Sequence, residues 1–368
     1  MVDRFKLGRR ALLGSAAGAA ALGLTGPARA QKPLVIGFIY VGPRDDYGYN
    51  QAHAEAAAVL KKMPGLKIQE EEKVPETVAV EKTMESMINL DGATLLFPTS
   101  FGYFDPYMLK EAGKFPKIQF RHCGGLWQQG KHPMNTGSYF GYIDEAQYVA
   151  GIVAGASSKS GKLGFVAAKP IPQVLRNINA FTLGAQTVNP KATTQVIFTG
   201  DWAMPVKEAE ATNSMIAQGV DVVTCHVDSP KVVIETAERA GIMSSGYHCN
   251  QAKLAPKGYL TGAEWAWEKV YTDMVNDMKA GKAPGNFVRG GLKEGFVRTS
   301  AYGPMAKGTD KADAAKAALL GGSLAIYKGG LKDNKGNVVI PAGTTYAITE
   351  PKLESMNYLI EGVIGSTS

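Results

Sequence analysis

The chain alternates short apolar, β-rich runs with helical stretches, and the alternation restarts once. Residues 34–40 (LVIGFIY) read as a buried strand and 51–62 (QAHAEAAAVLKK) as a helix. Strand 67–73, helix 78–90, strand 94–98, helix 107–115 and strand 117–121 follow. Near-continuous apolar strands joined by helices belong to parallel sheets covered on both faces. After a joint near 139–145 (YFGYIDE) the pattern begins again. It gives helix 146–158, strand 162–167, helix 172–189, strand 194–199, helix 206–218, strand 220–225, helix 231–240, strand 243–247 and helix 265–280. The expected fold is α/β, with two doubly wound units of ordinary domain size and a ligand cleft between them. In the tail, 286–299 alternates like a β segment and 311–321 reads as a helix. The polar LKDNKGN stretch, flanked by 325–328 and 338–340, reads as a hairpin.

Charge narrows the function. The 368 residues carry 40 Lys and Arg against 33 Asp and Glu, a formal charge of +7. Arg4, Lys6, Arg9, Arg10 and Arg29 against Asp3 place +4 of this in the first thirty residues and leave +3 for the rest. A near-neutral body argues against a nucleic-acid surface. The first thirty residues read as an export leader: the pair Arg9-Arg10, an apolar Ala/Gly/Leu stretch, and the small-x-small triplet Ala28-Arg29-Ala30 before Gln31. The adjacent arginines point to the twin-arginine route and to the periplasm. With no Cys near the cleavage signal, no lipid anchor is expected. The three cysteines, Cys123, Cys225 and Cys249, have no metal-ligand spacing. Two readings of them stand: a Cys225–Cys249 bridge, or three buried thiols.

Candidate site residues lie where strands end in loops. In GPRDDYGYNQ (42–51), Tyr49 or Tyr40 can stack on a planar ligand and Asn50 can bond its edge, with Asp46 beside them. The alternative for Asp46 and Asn50 is helix capping. Phe101 in PTSFGYFDP offers a wall, and Trp127 in RHCGGLW a stacking ring; His122 reads as a satisfied buried histidine. The second unit contributes Phe181 early in a helix, Trp202 in GDW, His226 and Asp228 in HVDSP, and Asn250 in GYHCNQ. Of Trp265 and Trp267, placed at a helix start, at most one is expected to reach ligand. No nucleophile elbow, metalloprotease, phosphate-loop or dinucleotide motif appears. The expectation is a binding protein, not an enzyme, with no metal and no cofactor.

The leader, DDYGYN, TSFGYFDP, YFGYIDEAQYVAGIVAG, GDW and GVDVVTCHVDSP together resemble the basic membrane protein (BMP) family of ABC-transporter solute-binding proteins, which includes purine nucleoside receptors. The resemblance implies a type I periplasmic-binding fold, two Rossmann-like lobes joined by three hinge crossings. It also implies a purine ligand and a permease with its ATPase as partners; the chain is expected to act as a monomer. By position, the family's D-x-S-F-N pattern falls on Asp46, Tyr49 and Asn50, with Gly48 in place of the serine. Its acid in the second lobe falls on Asp228. The following loop carries His248 and Asn250 where nucleoside receptors have acids, which weakens the ribose inference and sets a free base such as adenine or guanine beside a purine nucleoside as the ligand. The same fold could hold an amide, a sugar or a flavin, and an exported enzyme is the more distant alternative. The expected division is a leader 1–30, a first lobe 31–143 plus 262–285, and a second lobe 144–261 plus 286–368.

Overall fold

Strand-forming runs of Val, Ile, Leu and Phe organise the molecule into two mainly parallel sheets. The structure, a computed structural model, describes residues 33–367. The expected leader lies outside the described residues.

The first sheet contains β1 (Leu34–Ile39), β2 (Leu66–Glu71), β3 (Leu95–Pro98), β4 (Gln119–Cys123) and β5 (Thr136–Gly141). The second contains β6 (Lys162–Ala167), β7 (Thr193–Phe198), β8 (Val222–His226), β9 (Met243–His248) and β10 (Tyr259–Trp265). Two further strands then divide: β11 (Phe287–Gly290) joins the first sheet and β12 (Val297–Thr299) the second. The first sheet runs β11-β5-β4-β3-β1-β2, all parallel. Two short antiparallel pairs follow, β13 (Tyr327–Lys328) with β16 (Thr345–Tyr346) and β14 (Leu331–Lys332) with β15 (Val338–Ile340). The last strand, β17 (Val363–Ile364), lies on β7 and completes the order β12-β10-β9-β8-β6-β7-β17, in which β12 alone is antiparallel.

The helices cover these sheets. Those of the first half are α1 (Tyr49–Leu60), α2 (Val78–Asn89) and α3 (Leu109–Lys114). Those of the second are α4 (Asp144–Ser157), α5 (Pro172–Val188), α6 (Pro205–Ala217) and α7 (Lys231–Ala240). Next, α8 (Trp267–Lys279) returns to pack on α1, and α9 (Thr309–Leu320) packs on α4. Small residues set the closest approach. A Cβ on Gly151 of α4 would sit 2.0 Å from the Phe181 carbonyl oxygen, and one on Gly184 of α5 at 2.0 Å from that of Tyr148. The two helix backbones therefore touch, and Phe181 is locked into the core with its ring edge on Phe165.

The chain passes between the sheets three times: after β5, after β10 and between β11 and β12. Sheet membership moves two edges of the expected division. Residues 262–265 belong with the second sheet and Phe287–Gly290 with the first. Two strands go beyond the sequence reading. TGSYFG (β5) overlaps the joint expected near 139–145, and YLTGAEW (β10) carries no strand expectation. TGSYFG is rich in Gly, Thr and Ser, YLTGAEW carries Gly262 and Glu264 mid-strand, and both are wholly or mostly buried within their sheets. Trp265 accordingly ends a strand rather than starting a helix.

Candidate ligand-binding cavity

The strand ends of the two sheets face a small cavity of about 40 Å³. Its first-sheet wall is Tyr49 from the head of α1, Ser100 and Phe101 after β3, Cys123 and Gly124 at the end of β4, and Phe140 on β5. The second-sheet wall is Gln173 of α5, Trp202 after β7, His226 and Asp228 at the end of β8, His248 at the end of β9 and Trp265 of β10.

Of the expected site residues, Tyr49, Phe101, Trp202, His226 and Asp228 line the cavity. Tyr49 is fixed by its hydroxyl, which donates to the Thr99 carbonyl at 2.5 Å, and by its ring edge against His53. Asp228 is the unusual group. Its backbone is held on both sides, N–H to the Trp202 carbonyl at 2.8 Å and C=O from the Tyr49 N–H at 2.8 Å. Its carboxyl, however, has no hydrogen-bond or ion-pair partner among the described residues. Burial, and then the nearby acids Asp46, Glu76, Glu208 and Asp201, hold it well above the ordinary carboxylate range. The half-buried Asp228 carboxyl is left without a protein partner, facing the cavity.

The two cavity histidines are neutral. Burial lowers His226 to about 3 and pushes His248 well down too. His248 Nδ1 accepts from Trp265 Nε1 at 2.8 Å, so its proton sits on Nε2, which donates to the Val227 carbonyl at 3.0 Å. His226 Nδ1 accepts from the Asn177 amide at 2.8 Å, which leaves Nε2 as its N–H.

The other six expected residues are elsewhere, each for a local reason. Tyr40 is in the core and donates its hydroxyl to Glu70 Oε1 at 3.0 Å. The Asp46 carboxylate accepts the N–H groups of Gly48, Asn50 and Gln51 at 2.8, 3.0 and 2.9 Å. It also accepts the Asn50 amide, whose oxygen takes the Gly42 N–H. Both residues thus fasten the start of α1, as the capping alternative has it. Trp127 is half-buried in its own loop, with Nε1 toward the Pro133 carbonyl at 3.4 Å. Phe181 is spent in the α4–α5 contact. Asn250 is exposed and accepts from the Ala252 N–H. His122 is buried with both ring nitrogens bonded to backbone, as expected.

The sequence reading missed Phe140, Gln173 and Cys123 as lining residues, and placed Trp265 on the wrong element. Phe140 and Trp265 sit on β5 and β10, the two strands beyond the sequence reading. Trp265 and Trp267 do not diverge: their rings stack at 4.5 Å, with Trp265 on the cavity and Trp267 behind it. Cys123, Cys225 and Cys249 are all free and buried. Among the described residues no group of His, Cys, Asp and Glu is placed to hold a metal ion, and no helix is long and apolar enough to cross a membrane.

A family model for PnrA-like ABC transporter substrate-binding proteins, Bmp, matches residues 34–317. A purine-binding protein of Brucella abortus (strain 2308) is 34% identical over 343 residues, 92% of this chain and 95% of that protein. A putative ABC transporter glucose-binding protein of Haloferax volcanii is 30% identical over 331 residues, 89% of this chain and 80% of that protein. A solute-binding protein structure from Conexibacter woesei superposes with a TM-score of 0.66 at 21% identity, covering 79% of this chain and 97% of that one. Another from Aeropyrum pernix gives 0.68 at 18% identity, covering 82% and 93%. At these identities the structural likeness establishes the fold, that of the periplasmic binding proteins.

Proposed function

Because the chain belongs to the Bmp family of PnrA-like ABC transporter substrate-binding proteins, we propose that the ligand it captures for its transporter is a purine. Such proteins hand their ligand to a membrane permease driven by an ATPase. The observation that carries the purine reading is the unpaired Asp228 carboxyl in a cavity walled by Tyr49, Phe101, Phe140, Trp202 and Trp265. Aromatic faces suit a flat heterocycle, and a carboxyl suits the N–H groups at its edge. The N–H of His226 adds a donor for a ring nitrogen or exocyclic oxygen. The Brucella relative supports the same class.

The leader sequence in residues 1–30 supports export to the periplasm by the twin-arginine route, without a lipid anchor. The two sheets then act as lobes that close on the ligand, and the chain works as a monomer carrying out no chemistry on it.

Mass spectrometry of ligand released by denaturing the purified protein, with calorimetric titration of adenine, guanine, hypoxanthine and adenosine, tests the reading. The expected result is a released or titratable purine. Absence of binding by all four removes the purine. A second reading, a sugar, draws on the Haloferax relative and on the same carboxyl, which also suits hydroxyl donors. Glucose belongs in the same titration, and its binding in place of the purines would establish that alternative.

A further inference from the structure

Gly48 occupies a place that no side chain fits. A Cβ there would lie 1.9 Å from the Asp228 carbonyl oxygen and 2.6 Å from Pro230 Cδ. Gly48 precedes α1 on the first sheet, whereas Asp228 and Pro230 follow β8 of the second. The close approach is thus between the two halves. Hydrogen bonds surround it on both sides. Tyr49 N–H donates to the Asp228 carbonyl at 2.8 Å, Ser229 Oγ donates to the Asp46 carbonyl at 2.7 Å, and Gln251 Nε2 donates to the Tyr47 carbonyl at 2.6 Å. The Lys231 ammonium lies 5.5 Å from the Tyr47 ring centre.

We propose that Gly48 is the closure determinant of the cavity: its bare Cα lets loop 46–49 seat on the 228–230 turn, and that seating brings the Tyr49 ring and the Asp228 carboxyl onto one ligand. The proposal rests on the cavity being the ligand site. Gly48 is not among the residues that line it and acts as a positioning residue. Any added side chain must push a backbone carbonyl away, and a backbone carbonyl held by its own turn cannot yield as a flexible side chain can. The clash is with the backbone of the second half, so its cost falls on the contact between the halves.

Tyr49 supplies a direct readout. It is the first residue of α1, so its N–H has no acceptor within the helix. The Asp228 carbonyl is its acceptor, and slow exchange there reports seating. The experiment compares wild type, Gly48→Ala and Ser229→Ala by hydrogen–deuterium exchange resolved at the Tyr49 amide, and by calorimetry with adenine, guanine, hypoxanthine and adenosine. In Gly48→Ala the Tyr49 amide exchanges faster and affinity for the bound purine falls, each by about tenfold or more, as loss of the closed population demands. Exchange in β1 and β8 stays at the wild-type rate, which separates lost closure from lost folding. Ser229→Ala removes one bond without adding bulk and shifts both readouts the same way by less. Wild-type Tyr49 exchange and wild-type affinity in Gly48→Ala overturn the proposal. A wild type that binds none of the four compounds overturns the purine reading instead, and the exchange comparison in ligand-free protein then decides closure by itself.

Discussion

Asp46 and Asp228 meet at the same joint between the two sheets, and their carboxyls are treated oppositely. The Asp46 carboxylate takes three backbone N–H groups and the Asn50 amide. The Asp228 carboxyl takes nothing from the described residues and opens on the cavity. One acid holds the architecture in place and the other is left for a visitor.

Asp228→Asn should therefore weaken ligand binding and stabilise the empty protein. Loss of an acceptor oxygen for the N–H groups of the ligand costs binding about 1–3 kcal/mol. The sign of the stability effect follows from the raised carboxyl. Its neutral form is favoured in the folded state, so the penalty is absent below the ordinary Asp range and grows as pH rises through and beyond it. Thermal melts without ligand should show the variant above wild type at pH 8, with the gap closing toward pH 4. A variant that melts below wild type at pH 8 would contradict an unpaired carboxyl.

Asp46→Ala acts the other way. It strands the N–H groups of Gly48, Asn50 and Gln51 at the head of α1 and should destabilise the protein by about 1–3 kcal/mol in urea unfolding. An unchanged midpoint would show that water replaces the carboxylate without loss.

Tyr49→Ala removes a ring from the cavity wall, and Tyr49→Phe removes only the hydroxyl that donates to Thr99. If the ring stacks on ligand, the first variant should lose about 1–3 kcal/mol of binding and the second well under half of that. Equal losses in calorimetry would assign the effect to the hydroxyl.

Glu145 gives a pH effect away from the cavity. Burial raises it from 4.5 to about 7, although its Oε2 accepts the Leu292 N–H at 2.7 Å. The folded state favours the neutral acid, so the stability linked to this group is full below pH 4.5 and lost as pH rises to 7. A shift of this size corresponds to roughly 3 kcal/mol. Glu145→Gln should abolish that part of the slope, so the difference between variant and wild type in urea unfolding should grow from pH 4.5 to 7 and then level. A constant difference across the range would count against it.

The cysteine alternative can be settled by counting. Protein purified without reductant should give three titratable thiols in guanidinium chloride, since all three are free. In the native state Cys123 should react slowly even though it lines the cavity, because burial pushes its thiol up to about 12. One thiol instead of three would establish a bridge.

The βα alternation of apolar runs such as LVIGFIY and VDVVTC made both sheets legible, because buried parallel strands leave that signature. Strands β5 and β10 were not, since their glycines and hydroxyl residues become strands only through neighbours supplied from elsewhere in the chain. The site divides in the same way. Tyr49, Phe101, Trp202, His226 and Asp228 stand at loop positions that follow readable strands, whereas Phe140 and Trp265 are carried on the hidden ones. Asp46 and Asn50 were open to two meanings in the sequence, and only their hydrogen bonds decide for the helix start. The tight glycines, Gly48 among them, have no signature in a single sequence, because what crowds them lies across the molecule.

The exchange of strands at the third crossing has a consequence for how the chain is made. No contiguous stretch contains a whole half: residues 33–143 lack Phe287–Gly290 and the covering helix α8, and the second half is interrupted between Trp265 and Val297. A growing chain must emerge past residue 290 before its first sheet can reach six strands. Assembly thus waits on pairings of long sequence separation and belongs to the completed polypeptide rather than to one half after another. Fragments cut at a crossing would leave β5 as a raw sheet edge and aggregate, so the two halves are better studied by disabling one inside the full-length protein.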